Sequence, residues 1–92
     1  MFYATKIRMG TRYSSVQSCQ DISEIYLEGG DTNQFYTKAS LYDHLRNHPD
    51  SIAVGIAPYP HLVPAVSSKN EKYVRSEPND TPYDNLLKLP QY

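Results

Sequence analysis

The end of this chain constrains its fold more than any other stretch. The run Tyr73-Val74-Arg75-Ser76 leads into polar turn formers, Glu77-Pro78-Asn79-Asp80-Thr81-Pro82. The chain then finishes with Leu86, Leu87 and Leu89 ahead of Pro90. Leucines left in water gain nothing, whereas burying each contributes ~1.5–3 kcal/mol. The tail is therefore expected to pack, and the fold must close on its own C-terminus. Arg75, Asn79, Asp80, Thr81, Asp84 and Asn85 would then be held in a fixed arrangement.

Ninety-two residues make one domain, spanning 1–92. A domain of this size buries roughly two-thirds of its unfolded surface and is modestly stable alone, so a homo-oligomer is expected. The apolar fraction is 39% and the mean hydropathy −0.63, yet nine tyrosines and two phenylalanines supply enough packing surface to argue against disorder. Nine Lys and Arg against ten acids leave a net charge of −1, with no broad basic surface for extended nucleic acid. A small anionic ligand needs only two or three arginines and stays open. The start Met1-Phe2-Tyr3-Ala4-Thr5-Lys6 lacks the basic and apolar segments of a signal peptide, and no stretch approaches membrane-spanning length. The expectation is a cytoplasmic protein without membrane contact. Its one cysteine, Cys19, is read as a reduced thiol in a polar loop, with no neighbouring base or positive charge to activate it.

Residues 2–9 alternate, with Tyr3, Thr5, Ile7 and Met9 on one face and Ala4, Lys6 and Arg8 on the other, as in a half-buried strand. Residues 10–21 have no period and read as a long loop. A second strand covers 22–28. Gly29-Gly30-Asp31 makes a turn, and 34–36 form a short third strand. Thr37 caps a helix over 38–48 that presents Leu41, Tyr42 and Leu45 on one face and stops at Pro49. The fourth strand is expected over 51–57, with Ile52, Val54 and Ile56 opposite the small residues Ala53, Gly55 and Ala57. A stiff connector, Pro58-Tyr59-Pro60-His61, leads to a strand over 62–66, which Pro64 confines to an edge or a bulge. A turn over 68–71 and a strand over 72–76 complete the order β-β-β-α-β-β-β plus tail. The expected class is α+β: a mostly antiparallel sheet of five to six short strands, one covering helix and a packed C-terminal tail.

No catalytic reaction is legible, and no cofactor is expected. There is no Gly-x-Ser-x-Gly elbow, phosphate loop or dinucleotide fingerprint. His44 and His48 lie one helical turn apart, a spacing that suits two metal ligands, but no third ligand is signalled and a solvated helix face explains them. What remains is the tail. Arg75, at a strand end, offers the fork that grips phosphate or carboxylate. Pro78 and Pro82 hold Asn79-Asp80-Thr81 in a tight turn, where Asn and Thr can read a base edge or a ribose. Tyr73 and Tyr83 can stack on a base. The candidate ligand-binding set is Tyr73, Arg75, Ser76, Asn79, Asp80 and Thr81. A purely structural account competes with it: Arg75 pairing with Asp80 or Asp84 to pin the tail, and Asp84 capping a final turn.

The pattern Tyr-x-Arg-Ser-x-Pro-Asn-x-Thr-x-x-Asp-Asn-Leu-x-x-Leu-Pro is carried here by Tyr73, Arg75, Ser76, Pro78, Asn79, Thr81, Asp84, Asn85, Leu86, Leu89 and Pro90. With the strand and helix order from Tyr3 onward, it resembles a small bacterial and phage family catalogued as a domain of unknown function. The chain departs from that pattern in its 10–21 loop and 58–64 connector. In size, tyrosine content and the placing of arginines near loops, it is also similar to phage "sponge" proteins that counter bacterial immunity. That resemblance implies a non-catalytic oligomer that sequesters a cyclic oligonucleotide or cyclic ADP-ribose signal, with arginine on the phosphates and aromatic rings on the bases. The competing expectation is a protein-interaction module that docks on a host protein, for which tyrosine-rich strands and a stiff proline edge are suited. An enzyme is the third and weakest reading.

Overall fold

The computed structural model describes residues 1–10, 19–77 and 85–92. Its elements run β1 (Phe2–Met9), β2 (Ile22–Gly29), β3 (Thr32–Thr37), α1 (Lys38–Asn47), β4 (Ile52–Val54), β5 (Leu62–Val66) and β6 (Lys72–Ser76), with 3-10 turns at Cys19–Asp21 and Asn85–Lys88. The α+β class holds. The strands, however, divide into a four-stranded sheet, β3-β2-β1-β4, and a separate hairpin, β5-β6. All pairings are antiparallel except β1 with β4, which is parallel.

The division originates just after β4. The Gly55 amide bonds to the Ala4 carbonyl at 2.8 Å, and the chain then turns, with Tyr59 in the left-handed region at φ 60. The expected strand over 51–57 is thus cut to three residues. Ile56 is 37% exposed, no longer sharing a buried face with Ile52 and Val54. An isolated bridge between Ala53 and His61 connects the two sheets.

The alternation expected along β1 is also broken. Ala4 pairs with Leu27 and Lys6 with Tyr26, so Thr5 is an extra residue in a bulge. Because side chains alternate with period two, one inserted residue exchanges the faces beyond it. Ala4 before the bulge and Ile7 after it are both fully buried, although the simple alternation sets them on opposite faces.

The turn between β2 and β3 is tighter than its glycines alone suggest. Gly29 pairs with Thr32, leaving Gly30-Asp31 as a two-residue loop with Gly30 at φ 55. β3 accordingly runs six residues instead of three. At its end the Thr37 side chain accepts a bond from the Ser40 amide at 3.2 Å and caps α1. Leu41, Tyr42 and Leu45 are the helix's buried face, as its spacing indicates.

α1 lies chiefly against β5 and β6 and also meets β2 and β3. The core joins Ile25 and Leu27 of the sheet, Leu41 and Leu45 of the helix, Leu62 and Val74 of the hairpin, and Leu86 and Leu89 of the tail. Cys19 belongs to this core at 1% exposure, so it is not the polar-loop residue expected. The tail packs: Leu86 is fully buried and Leu89 4% exposed. Beyond it, the Ile7 amide bonds to the Pro90 carbonyl and the Tyr92 amide to the Ile7 carbonyl, each at 2.9 Å. The C-terminus thereby shares one edge of β1 with β4. No described helix is long and apolar enough to cross a membrane.

Candidate binding site

The sequence-derived site falls partly within the described residues. Asn79, Asp80 and Thr81 lie outside them, as do Tyr83 and Asp84. Tyr73, Arg75 and Ser76 all stand on β6, where strand alternation sets Tyr73 and Arg75 on one face and Ser76 with Val74 on the other. Tyr73 is 4% exposed and part of the core, so its ring has little surface for a stacked base. Ser76 is fully buried, and the Asn85 side-chain amide approaches its hydroxyl at 3.5 Å. The Asn85 carbonyl oxygen in turn lies 3.4 Å from the Lys88 ammonium. These contacts tie the final 3-10 turn to the end of β6, a fold-closing role for Ser76.

Arg75 differs from its neighbours. It is half-buried on a strand held by backbone pairing to Val63. The ion pairs among the described residues are Arg8–Glu24, His61–Asp50 and Lys72–Asp43, and Arg75 takes part in none of them. Asp80 and Asp84, the carboxylates that could pin it, lie outside the described residues; a guanidinium that no carboxylate occupies offers its fork to an anion.

Two further features were not singled out from the sequence. The first is a cavity of about 240 Å³ between α1 and the sheet, lined by Phe2, Leu27, Thr32, Tyr36, Ser40, Leu41 and His44. The His44 Nε2 atom is buried and has no hydrogen-bond partner among the described residues. The neighbouring His48 ring is 4.9 Å away, centroid to centroid, and no group of three metal-ligating side chains occurs among the described residues.

The second is the face of the four-stranded sheet turned away from α1. Cross-strand register gathers Lys6, Arg8, Glu24, Tyr26, Glu28 and Phe35 there. The Lys6 ammonium sits between two rings, 4.6 Å from the centroid of Tyr26 and 5.3 Å from that of Tyr92. The Arg8 guanidinium lies 4.0 Å over Phe35 and also bonds Glu24. Tyr26 and Phe35 meet edge to face at 5.0 Å. Tyr3 packs on Tyr59, and both are exposed, at 40% and 54%. Aromatic rings, cations and two carboxylates thus share one surface. The signal for it lay in the alternate positions of β1, β2 and β3, but the Thr5 bulge had to be known before Lys6 and Tyr26 could be paired.

A family model described as a protein of unknown function, DUF3892, matches residues 4–90. The chain belongs to the DUF3892 family. No curated protein and no solved structure matches it significantly. The family match spans both sheets, the helix and nearly all of the tail, so tail closure belongs to the matched region along with the strands.

Proposed function

We propose that this DUF3892 domain is a non-catalytic binding protein for a small nucleotide-derived anion. In this reading it sequesters a cyclic oligonucleotide or cyclic ADP-ribose signal in the cytoplasm, as phage sponge proteins do. The observation that carries the reading is Arg75: a half-buried arginine, fixed on a hairpin and outside every ion pair among the described residues. Phosphate, like carboxylate, matches its fork, and a bidentate contact gives direction as well as strength. Tyr73 adds no support for base stacking, so the aromatic contribution has to come from elsewhere on the ligand's path.

The test is a thermal-shift panel of cyclic dinucleotides, cyclic trinucleotides and cyclic ADP-ribose isomers. A ligand at a hundred times its Kd stabilises by about 2.7 kcal/mol, which for a domain this size raises Tm by roughly 10–20 °C. Arg75→Ala should abolish the shift, and ligand released by denaturation should be chemically unchanged. A panel without any shift refutes the proposal, and a recovered product in place of the ligand refutes its non-catalytic part.

A second reading is favoured by the outer sheet face. Tyr, Phe and Arg are enriched at interfaces, Arg8 is paired with Glu24, and the Glu28 carboxylate stands on the same surface. That balance suits a protein partner, including a host protein inhibited by docking, better than a bare phosphate. Capture of one defined partner that is lost on Phe35→Ala and kept on Arg75→Ala would select this reading over the first.

A further inference from the structure

β3 is the outer strand of the four-stranded sheet, and no backbone group among the described residues hydrogen-bonds to its free edge. Natural proteins blunt such edges with charge, proline, a bulge or extreme shortness. β3 has none of these. Its sequence, Thr32-Asn33-Gln34-Phe35-Tyr36-Thr37, holds no charged residue and no proline, and its pairing with β2 runs from Glu24↔Thr37 to Gly29↔Thr32 without a register shift. The other edges are protected. β4 is three residues long, β5 carries Pro64 at its centre, and β6 begins with Lys72.

We propose that β3 pairs antiparallel with β3 of a second copy, joining two four-stranded sheets into one of eight strands. The charges at its ends select this occupant and this direction. Asp31 precedes the strand and is exposed, while Lys38 follows it at the start of α1. Antiparallel self-pairing centred on Gln34 sets Asp31 of each copy opposite Thr37 of the other and one position from Lys38, whose ammonium in the single chain bonds the Gln20 carbonyl at 2.7 Å. Parallel pairing would set like charges together. A two-fold axis normal to the sheet keeps α1 of both copies on one side, so the two outer faces with Tyr26 and Phe35 become one continuous surface. The six residues of β3 supply the whole ladder, with no ligand required. An edge contact of this size is at the small end of specific interfaces, so a dimer with Kd on the order of 1–100 µM is expected.

The experiment is sedimentation velocity of the full chain from ~1 to ~300 µM, a range chosen to bracket that affinity. The wild type should shift from monomer to dimer. Gln34→Lys brings two like charges together near the centre of the paired strands and should weaken the dimer at least ~10-fold while leaving the circular dichroism spectrum unchanged. Asp31→Lys and Lys38→Asp should each weaken it, and the double exchange should restore it. A wild type that stays monomeric throughout overturns the proposal. So does a dimer that Gln34→Lys leaves unchanged, or one that the double exchange fails to restore after each single change has weakened it.

Discussion

Leu86→Ala puts the packed tail to its most direct test. Leu86 is fully buried in the core cluster that also holds Ile7, Leu45 and Val74, and its 3-10 turn lies against β1 and β6. Truncating a leucine so enclosed removes its transfer free energy and leaves a cavity that the surroundings fill only partly, at a cost of about 2–5 kcal/mol. A domain of this length has about 5–14 kcal/mol of stability in all. At roughly 4–8 °C per kcal/mol, Tm should fall by at least ~10 °C. Urea denaturation followed by far-UV circular dichroism at fixed protein concentration reads the change as a lowered midpoint with an unchanged slope. Leu87→Ala is the control. Leu87 is only partly buried, so its cost should be smaller. A loss below ~1 kcal/mol for Leu86→Ala would mean that the tail can leave without opening the core, and the closure argument would fail.

Other perturbations probe separate parts of the fold. A Cβ at Gly29 would stand 2.8 Å from the Met1 carbonyl oxygen at a backbone φ of +146. Gly29→Ala should therefore cost about 1–3 kcal/mol in chemical denaturation, and more than Gly30→Asn, whose left-handed site is open and suits asparagine. Thr37→Ala removes the side-chain cap from the Ser40 amide and should cost about 1 kcal/mol, with Thr37→Ser recovering most of it. Cys19 is 1% exposed, so an aromatic disulfide reagent should label native protein only through opening of the core, orders of magnitude more slowly than urea-unfolded chain. Rapid labelling in the native state would contradict its burial.

What could be read from the sequence was local. The helix, its Thr37 cap and its Leu41–Tyr42–Leu45 face follow from periodicity and a single hydroxyl. β5 and β6 follow from turn residues on either side. The leucines of the tail announced their own burial. The rest depended on long-range geometry. One inserted residue, Thr5, decides which side of β1 faces the core, and nothing in Thr5 itself marks it as a bulge. β4 ends at Val54, and the next amide, Gly55, still bonds β1 at the Ala4 carbonyl, about fifty positions away, before the chain turns. The same holds for the candidate site. A tyrosine near an arginine suggests stacking, but only packing reveals that Tyr73 is a core residue and Tyr26 a surface one.

β6 shows how one strand can divide structural and chemical roles between adjacent residues. Ser76 closes the fold through Asn85, while Arg75, one position earlier, points to the opposite face and has no part in the ion pairs among the described residues. If that division is real, Arg75→Ala should change stability by no more than ~0.5 kcal/mol, the range of surface substitutions away from special features. Removing a guanidinium that pinned the tail would instead behave like Leu86→Ala on a smaller scale, costing about 1–3 kcal/mol through lost charge-assisted bonds. The two outcomes differ by several degrees in Tm and need no ligand to be known. A neutral Arg75→Ala that also loses a ligand-induced shift would separate binding from folding at this residue. A destabilised one would return Arg75 to the role of a tail clasp and leave the outer sheet face as the surface through which this domain acts.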